Sequence, residues 1–74
     1  MLQTSEFLIL VGIKVRRRRL ELDLTRNTLG AKCNMSDSTI GSIERGERNI
    51  SFLKFCVLCM ALEVKLPHLI EGVD

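Results

Sequence analysis

The chain has 74 residues, a net charge of +2 and 46 % apolar residues. A chain this short builds one small domain, so the expected unit is residues 1–74, with no room for a repeat array. One proline and five scattered glycines leave no linker or disordered tail to read, and the charge by itself is weak support for a nucleic-acid partner.

The charges are unevenly distributed. Arg16 to Arg19 form a run, and Arg45 and Arg48 a second group. On composition alone the run is either a solvated helix face or a set of phosphate contacts. The three cysteines have no framework spacing, which fits a reducing cytoplasm. Phe7 to Val11 is apolar, but the arginines follow it rather than precede it, and it is too short to span a membrane. The expectation is a cytoplasmic protein with no membrane partner.

Five helices and no strand are expected. The first covers about Ser5 to Leu22, capped by Thr4 or Ser5, with Glu6 in its first turn and Leu8, Val11, Val15 and Leu22 on one face. Gly12 inside it weakens it slightly. Thr25 caps a second helix, about Arg26 to Cys33, which turns Leu29 inward and ends at Asn34, a residue that tolerates the left-handed conformation. Ser36 caps a third, about Asp37 to Arg45, with Ile40 and Ile43 inward and Gly46 as its stop. Ser51 caps a fourth, about Phe52 to Leu62, apolar almost all round and interrupted only by Lys54. Such a helix is buried on every side or against a partner. A fifth starts near Leu66, with Pro67 in its first turn and Leu69 and Ile70 inward.

The run from Thr25 to Gly46 resembles the Cro/C1-type, or XRE-type, helix-turn-helix family. The resemblance rests on capping Thr25, Leu29 with small Gly30, apolar Met35, capping Ser36, Ile40, and the ending Ile43-Glu44-Arg45-Gly46. It extends over about Val11 to Ile70. It implies an all-α, five-helix lambda-repressor-like DNA-binding domain with its helix-turn-helix at 25–46. The function it implies is that of a transcriptional regulator bound to double-stranded DNA as a homodimer on a palindromic operator.

The resemblance also implies roles. The third helix would lie in the major groove, its first turn (Ser36, Asp37, Ser38, Thr39) and Ser42 against base edges. Arg26 would add a cation where the second helix meets a phosphate. Arg19 would pair with Glu44 and fix the first helix against the third, and Arg18 would lay its stem along the core edge. Gly30 would let the second and third helices approach closely.

Three departures stand out. Asp23, Asn34 and Glu63 occupy helix ends where relatives often carry glycine, and Glu63 is the poorest choice there. Arg26 replaces a common glutamine. The recognition positions hold no Arg, Gln or Asn, so bidentate readout of guanine or adenine from them is absent. Asp37 either accepts from cytosine or only caps its own helix. Thr39 could touch a thymine methyl, and Arg45, Arg48 or DNA shape would carry much of the specificity.

The string Glu44 to Ser51 is similar to the matching stretch of controller proteins of restriction–modification systems, and phage repressors share parts of it. It implies backbone contacts from Arg48 and Asn49; the competing reading is a polar loop. Surplus apolar residues Leu53, Val57, Met60, Val64, Leu66 and Ile70 form a candidate two-fold interface, against burial within the monomer. Ile9, Ile13 and Leu20 make a second stripe that either extends this contact or covers the core.

No enzyme is expected. Cys56 and Cys59 sit mid-helix rather than at a thiolate-stabilising N-terminus, so they read as core. His68 reads as a surface residue, and neither a metal site, a cofactor nor a small-molecule ligand is implied. The alternative to a regulator is a protein-interaction module or antitoxin-like domain that retains the fold.

Overall fold

The computed structural model describes residues 4–70, with Ile70 described by its backbone alone. They form five helices: α1 (Thr4–Glu21), α2 (Arg26–Cys33), α3 (Asp37–Glu44), α4 (Phe52–Ala61) and α5 (Leu66–Ile70). Each differs from its expected span by a residue or less. The N-terminal boundaries come from local caps. The side chains of Thr25, Ser36 and Ser51 accept from the backbone N–H three residues on, that of Thr28, Thr39 and Lys54. Each cap satisfies a donor that the first turn leaves without a partner.

The C-terminal boundaries of α1 to α4 share one device. Asp23, Asn34, Gly46 and Glu63 all have φ between 57° and 73°, the left-handed region. After α3, Glu47 N–H donates to Ser42 O and Gly46 N–H to Ile43 O. After α4 the matching bonds run from Val64 to Cys59 and from Glu63 to Met60. This pairing closes the last helical carbonyls and reverses the chain sharply. Only Gly46 occupies this conformation without Cβ strain.

The core is formed by Val11 and Val15 of α1, Leu29 and Cys33 of α2, Ile40 and Ile43 of α3, Leu58, Cys59 and Leu62 at α4, and Leu69 of α5. Burying a side chain of this size contributes about 1.5–3 kcal/mol. Helix α3 packs on both α1 and α2, α4 packs on α2, and α5 bridges α1 and α4. Gly12 is a correction to the sequence reading: it is buried, and a Cβ there would lie 2.5 Å from the carbonyl oxygens of Ile43 and Glu44. Its propensity cost is the condition for α1 to cross the end of α3 at backbone contact.

The apolar circumference of α4 divides into three. Leu58 and Cys59 are buried, Phe55, Cys56, Val57 and Ala61 are half-buried, and Phe52, Leu53 and Met60 are 70 %, 73 % and 78 % exposed. Ile9, Ile13 and Leu20 are also about half exposed, so they do not close the core. Arg18 reaches from α1 to α4: its Nε–H donates to the Leu62 carbonyl at 2.9 Å, and a terminal nitrogen pairs with Glu21. Its stem lies along the core edge, as expected, and its charge sits at the negative end of α4.

Candidate nucleic-acid interface

The motif begins with two serine/threonine caps ten residues or so apart and the close approach between them. A Cβ on Gly30 would collide with the Met35 carbonyl oxygen. Glycine there lets the turn fold back on α2, so that Ile40 and Ile43 enter the core and the opposite side of α3 faces outward. On that side Ser36, Asp37, Ser38 and Arg45 are exposed, and Thr39 and Ser42 are half-buried.

Most of these hydroxyls are held within the helix. Ser36 Oγ donates to Thr39 Oγ1 at 2.9 Å, and Ser42 Oγ donates to the Ser38 carbonyl at 3.1 Å. Their oxygens keep acceptor capacity for an incoming group. Asp37 has no hydrogen bond to a described residue; the capping belongs to Ser36. Of the two roles open to Asp37 in the sequence, capping is the one that the structure fills with another residue.

Beneath this face lies a charge cluster. Arg19 Nε–H donates to Glu44 Oε2 at 2.6 Å and Nη2 to Oε1 at 3.2 Å, while Nη1 donates to the Leu24 carbonyl at 2.8 Å. The Glu44 side chain is 1 % exposed. It also accepts from Arg26 Nε at 3.2 Å. The resemblance gave the Arg19–Glu44 pair; the second arginine on the same carboxylate it did not give. The cluster joins α1, α2 and α3 and carries a net positive charge, because one acid serves two cations.

The arginine run separates. Arg16 lines a shallow hollow with Thr25, Arg26 and Asp37, on the helix-turn-helix side. Arg17 lies with Arg18 and Val64 toward α5, and Arg19 is interior. Arg48 and Asn49 are exposed and, with Ser36, Thr39 and Lys54, line a cleft of about 330 Å³ between the starts of α3 and α4. Lys54 was absent from the expected site. Its signal in the sequence was its isolation as the one charge on an apolar helix.

Of the apolar set, Leu53 and Met60 are outward. Val57, Val64 and Leu66 lie half-buried against the core, and the Ile70 side chain lies outside the described residues. Phe52, which the sequence reading omitted, joins the outward pair. Burial raises the Cys33 and Cys59 thiols above the ordinary range, and the neighbouring Cys56 adds to the effect at Cys59. Among the described residues no cluster of three or more metal-ligating side chains occurs, and no helix is long and apolar enough to cross a membrane.

A helix-turn-helix family profile (HTH_3) matches residues 15–69. The chain belongs to this family of XRE-type DNA-binding regulators. Its helices superpose on solved members. The restriction–modification controller protein C.AhdI from Aeromonas hydrophila is 31 % identical, with a TM-score of 0.81 over 84 % of this chain and 94 % of that one. The wild-type controller protein C.Esp1396I is 28 % identical, with a TM-score of 0.80 over 90 % and 87 %. The P22 c2 repressor, solved with a synthetic operator, is 28 % identical, with a TM-score of 0.79 over 85 % and 96 %. No curated protein matches the sequence. The family has the all-α, lambda-repressor-like fold expected from the sequence.

Proposed function

We propose that this regulator binds a roughly palindromic operator as a homodimer, with α3 in the major groove. The observation that carries the reading is the outward face of α3. Its first turns hold short polar side chains, so they can approach base edges closely, and cations flank them. Ser36, Asp37, Ser38, Thr39 and Ser42 would meet the bases. Arg48, Asn49 and Lys54, around the cleft between two helix N-termini, would meet phosphates on one side, and Arg16 would do so on the other. Arg26 and Arg45 lie on the same face.

One α3 spans only a half-site, so specific binding needs two protomers. The exposed Phe52, Leu53 and Met60 support an isologous contact through α4, because an apolar group of this size on so small a chain is unfavourable in water. Val64, Leu66, Val57 and Ile70 would border it. The similarity to controller proteins and a phage repressor supports the same reading.

Titration of the chain onto operator-length duplex at several salt concentrations tests it. Four or more phosphate contacts per dimer give a slope of log K against log salt of about −4 or steeper. Little affinity at any salt would favour a protein-interaction module that retains the fold. Sedimentation at micromolar concentration tests the dimer, and a clean monomer there refutes it.

A further inference from the structure

Asp37 and Gly41 of α3 and its C-cap Arg45 recur every fourth residue, and the middle one has no side chain. A Cβ on Gly41 would lie 3.1 Å from a terminal nitrogen of Arg45 and 3.6 Å from a terminal nitrogen of Arg26. Two guanidinium groups therefore cover the bare backbone of Gly41, which is buried, within about 7 Å of each other. Like charges this close repel unless acids hold them.

Each arginine is held from behind. Arg26 Nε–H donates to Glu44 Oε1 at 3.2 Å, and Arg45 Nε–H donates to Glu47 Oε1 at 3.0 Å. The two anchors differ. Glu47 is exposed, whereas Glu44 is buried and fixed by Arg19. In Arg26 the anchor uses Nε and leaves both terminal nitrogens without a hydrogen bond to any described residue. A guanidinium in this state presents two parallel N–H donors in a fixed plane.

We infer that Arg26 is a specificity-determining residue that reads a guanine from its seat against Gly41. The O6 and N7 acceptors of guanine match a paired donor, and no other base edge offers two acceptors in the major groove. Two features favour a base over a phosphate. The missing Gly41 side chain seats the Arg26 guanidinium against α3, the helix that would enter the groove, and the Arg19–Glu44–Arg26 chain fixes an orientation that a phosphate would not require. The inference rests on the DNA-binding reading. It reassigns Arg26 from the phosphate anchor expected from the sequence.

Selection from a randomised duplex library, followed by affinity measurement, tests it. The wild-type chain should enrich guanine at one fixed position in each half-site. Arg26→Gln should move that position towards adenine and weaken the guanine operator roughly 10-fold or more, leaving other positions unchanged. Gly41→Ala, which favours the helix and therefore keeps the fold, should blunt the same guanine preference by displacing the guanidinium groups that lie over Gly41. Circular dichroism confirms that each variant is folded. An equal loss across all sequences in Arg26→Gln would mark a phosphate contact and overturn the inference, as would an unchanged base preference in both variants. Absence of salt-sensitive duplex binding by the wild-type chain would instead overturn the DNA-binding reading and take this inference with it.

Discussion

Glu44→Ala removes the carboxylate on which α1, α2 and α3 converge. The Arg19 side chain is 9 % exposed, and without Glu44 its one remaining hydrogen bond among the described residues is to the Leu24 carbonyl. Orphaning one member of a buried ion pair costs about 3–5 kcal/mol. Arg26 is 41 % exposed and can turn to water, so it adds little to that cost. A chain of 74 residues has a total stability of about 4–11 kcal/mol at ~0.05–0.15 kcal/mol per residue. The substitution therefore removes from about a quarter of it to all of it. With a urea dependence of about 1 kcal/mol per molar, the unfolding midpoint falls by about 3–5 M, or the native state is lost. Far-ultraviolet circular dichroism follows the transition, at one protein concentration because self-association would shift it. The control is the double variant Arg19→Met/Glu44→Leu. It removes both buried charges, leaves the Leu24 carbonyl without its donor and half-exposed Arg26 free to turn to water, and should cost about 1–2 kcal/mol. A double variant as unstable as the single one would show that packing rather than the orphaned charge sets the cost. A loss under about 1 kcal/mol in the single variant would refute the reasoning outright.

Three further outcomes follow from the backbone and the thiols. Glu63→Gly relieves a left-handed residue at φ 58°. The relief of about 1–2 kcal/mol exceeds the added disorder of the unfolded chain, so the melting temperature should rise by about 4 °C, and no rise would mean the conformation is unstrained. Gly12→Ala should destabilise by about 2 kcal/mol in urea melts despite its better helix propensity, because its Cβ meets two backbone oxygens that cannot move aside. A more stable Gly12→Ala variant would mean α1 and α3 are not in backbone contact. Cys33 and Cys59 hold their protons to higher pH folded than unfolded. The unfolded chain therefore loses protons first, and stability should fall as pH rises above the ordinary thiol value of 9.0. Urea melts from neutral to alkaline pH should show a steeper decline in the wild-type chain than in Cys33→Ala/Cys59→Ala, and parallel declines would refute the assignment.

The helices and their ends were legible in the sequence because each depends on partners one turn away. Thr25, Ser36 and Ser51 cap the N–H three residues on, and the reversals at Asn34 and Gly46 close carbonyls within the preceding turn. Such bonds form whatever the rest of the chain does. The Arg19–Glu44 pair was legible only through the family resemblance, since 25 residues separate its members.

What tertiary structure decided is where equal-looking residues go. Four consecutive arginines read alike, yet successive helical positions point about 100° apart. Arg16 faces the helix-turn-helix, Arg17 faces α5, Arg18 ends α4 and Arg19 is buried on Glu44. The apolar circumference of α4 likewise became a core face and an outward face only when α2 and α5 covered one side. Arg26 shows the limit most clearly. Its position at the start of α2 was read from the sequence, but its contact with Glu44 and its place over Gly41 depend on how closely α2 and α3 cross. That distance is set by Gly30 against the Met35 carbonyl, a contact between backbones that the chain makes only once it is folded.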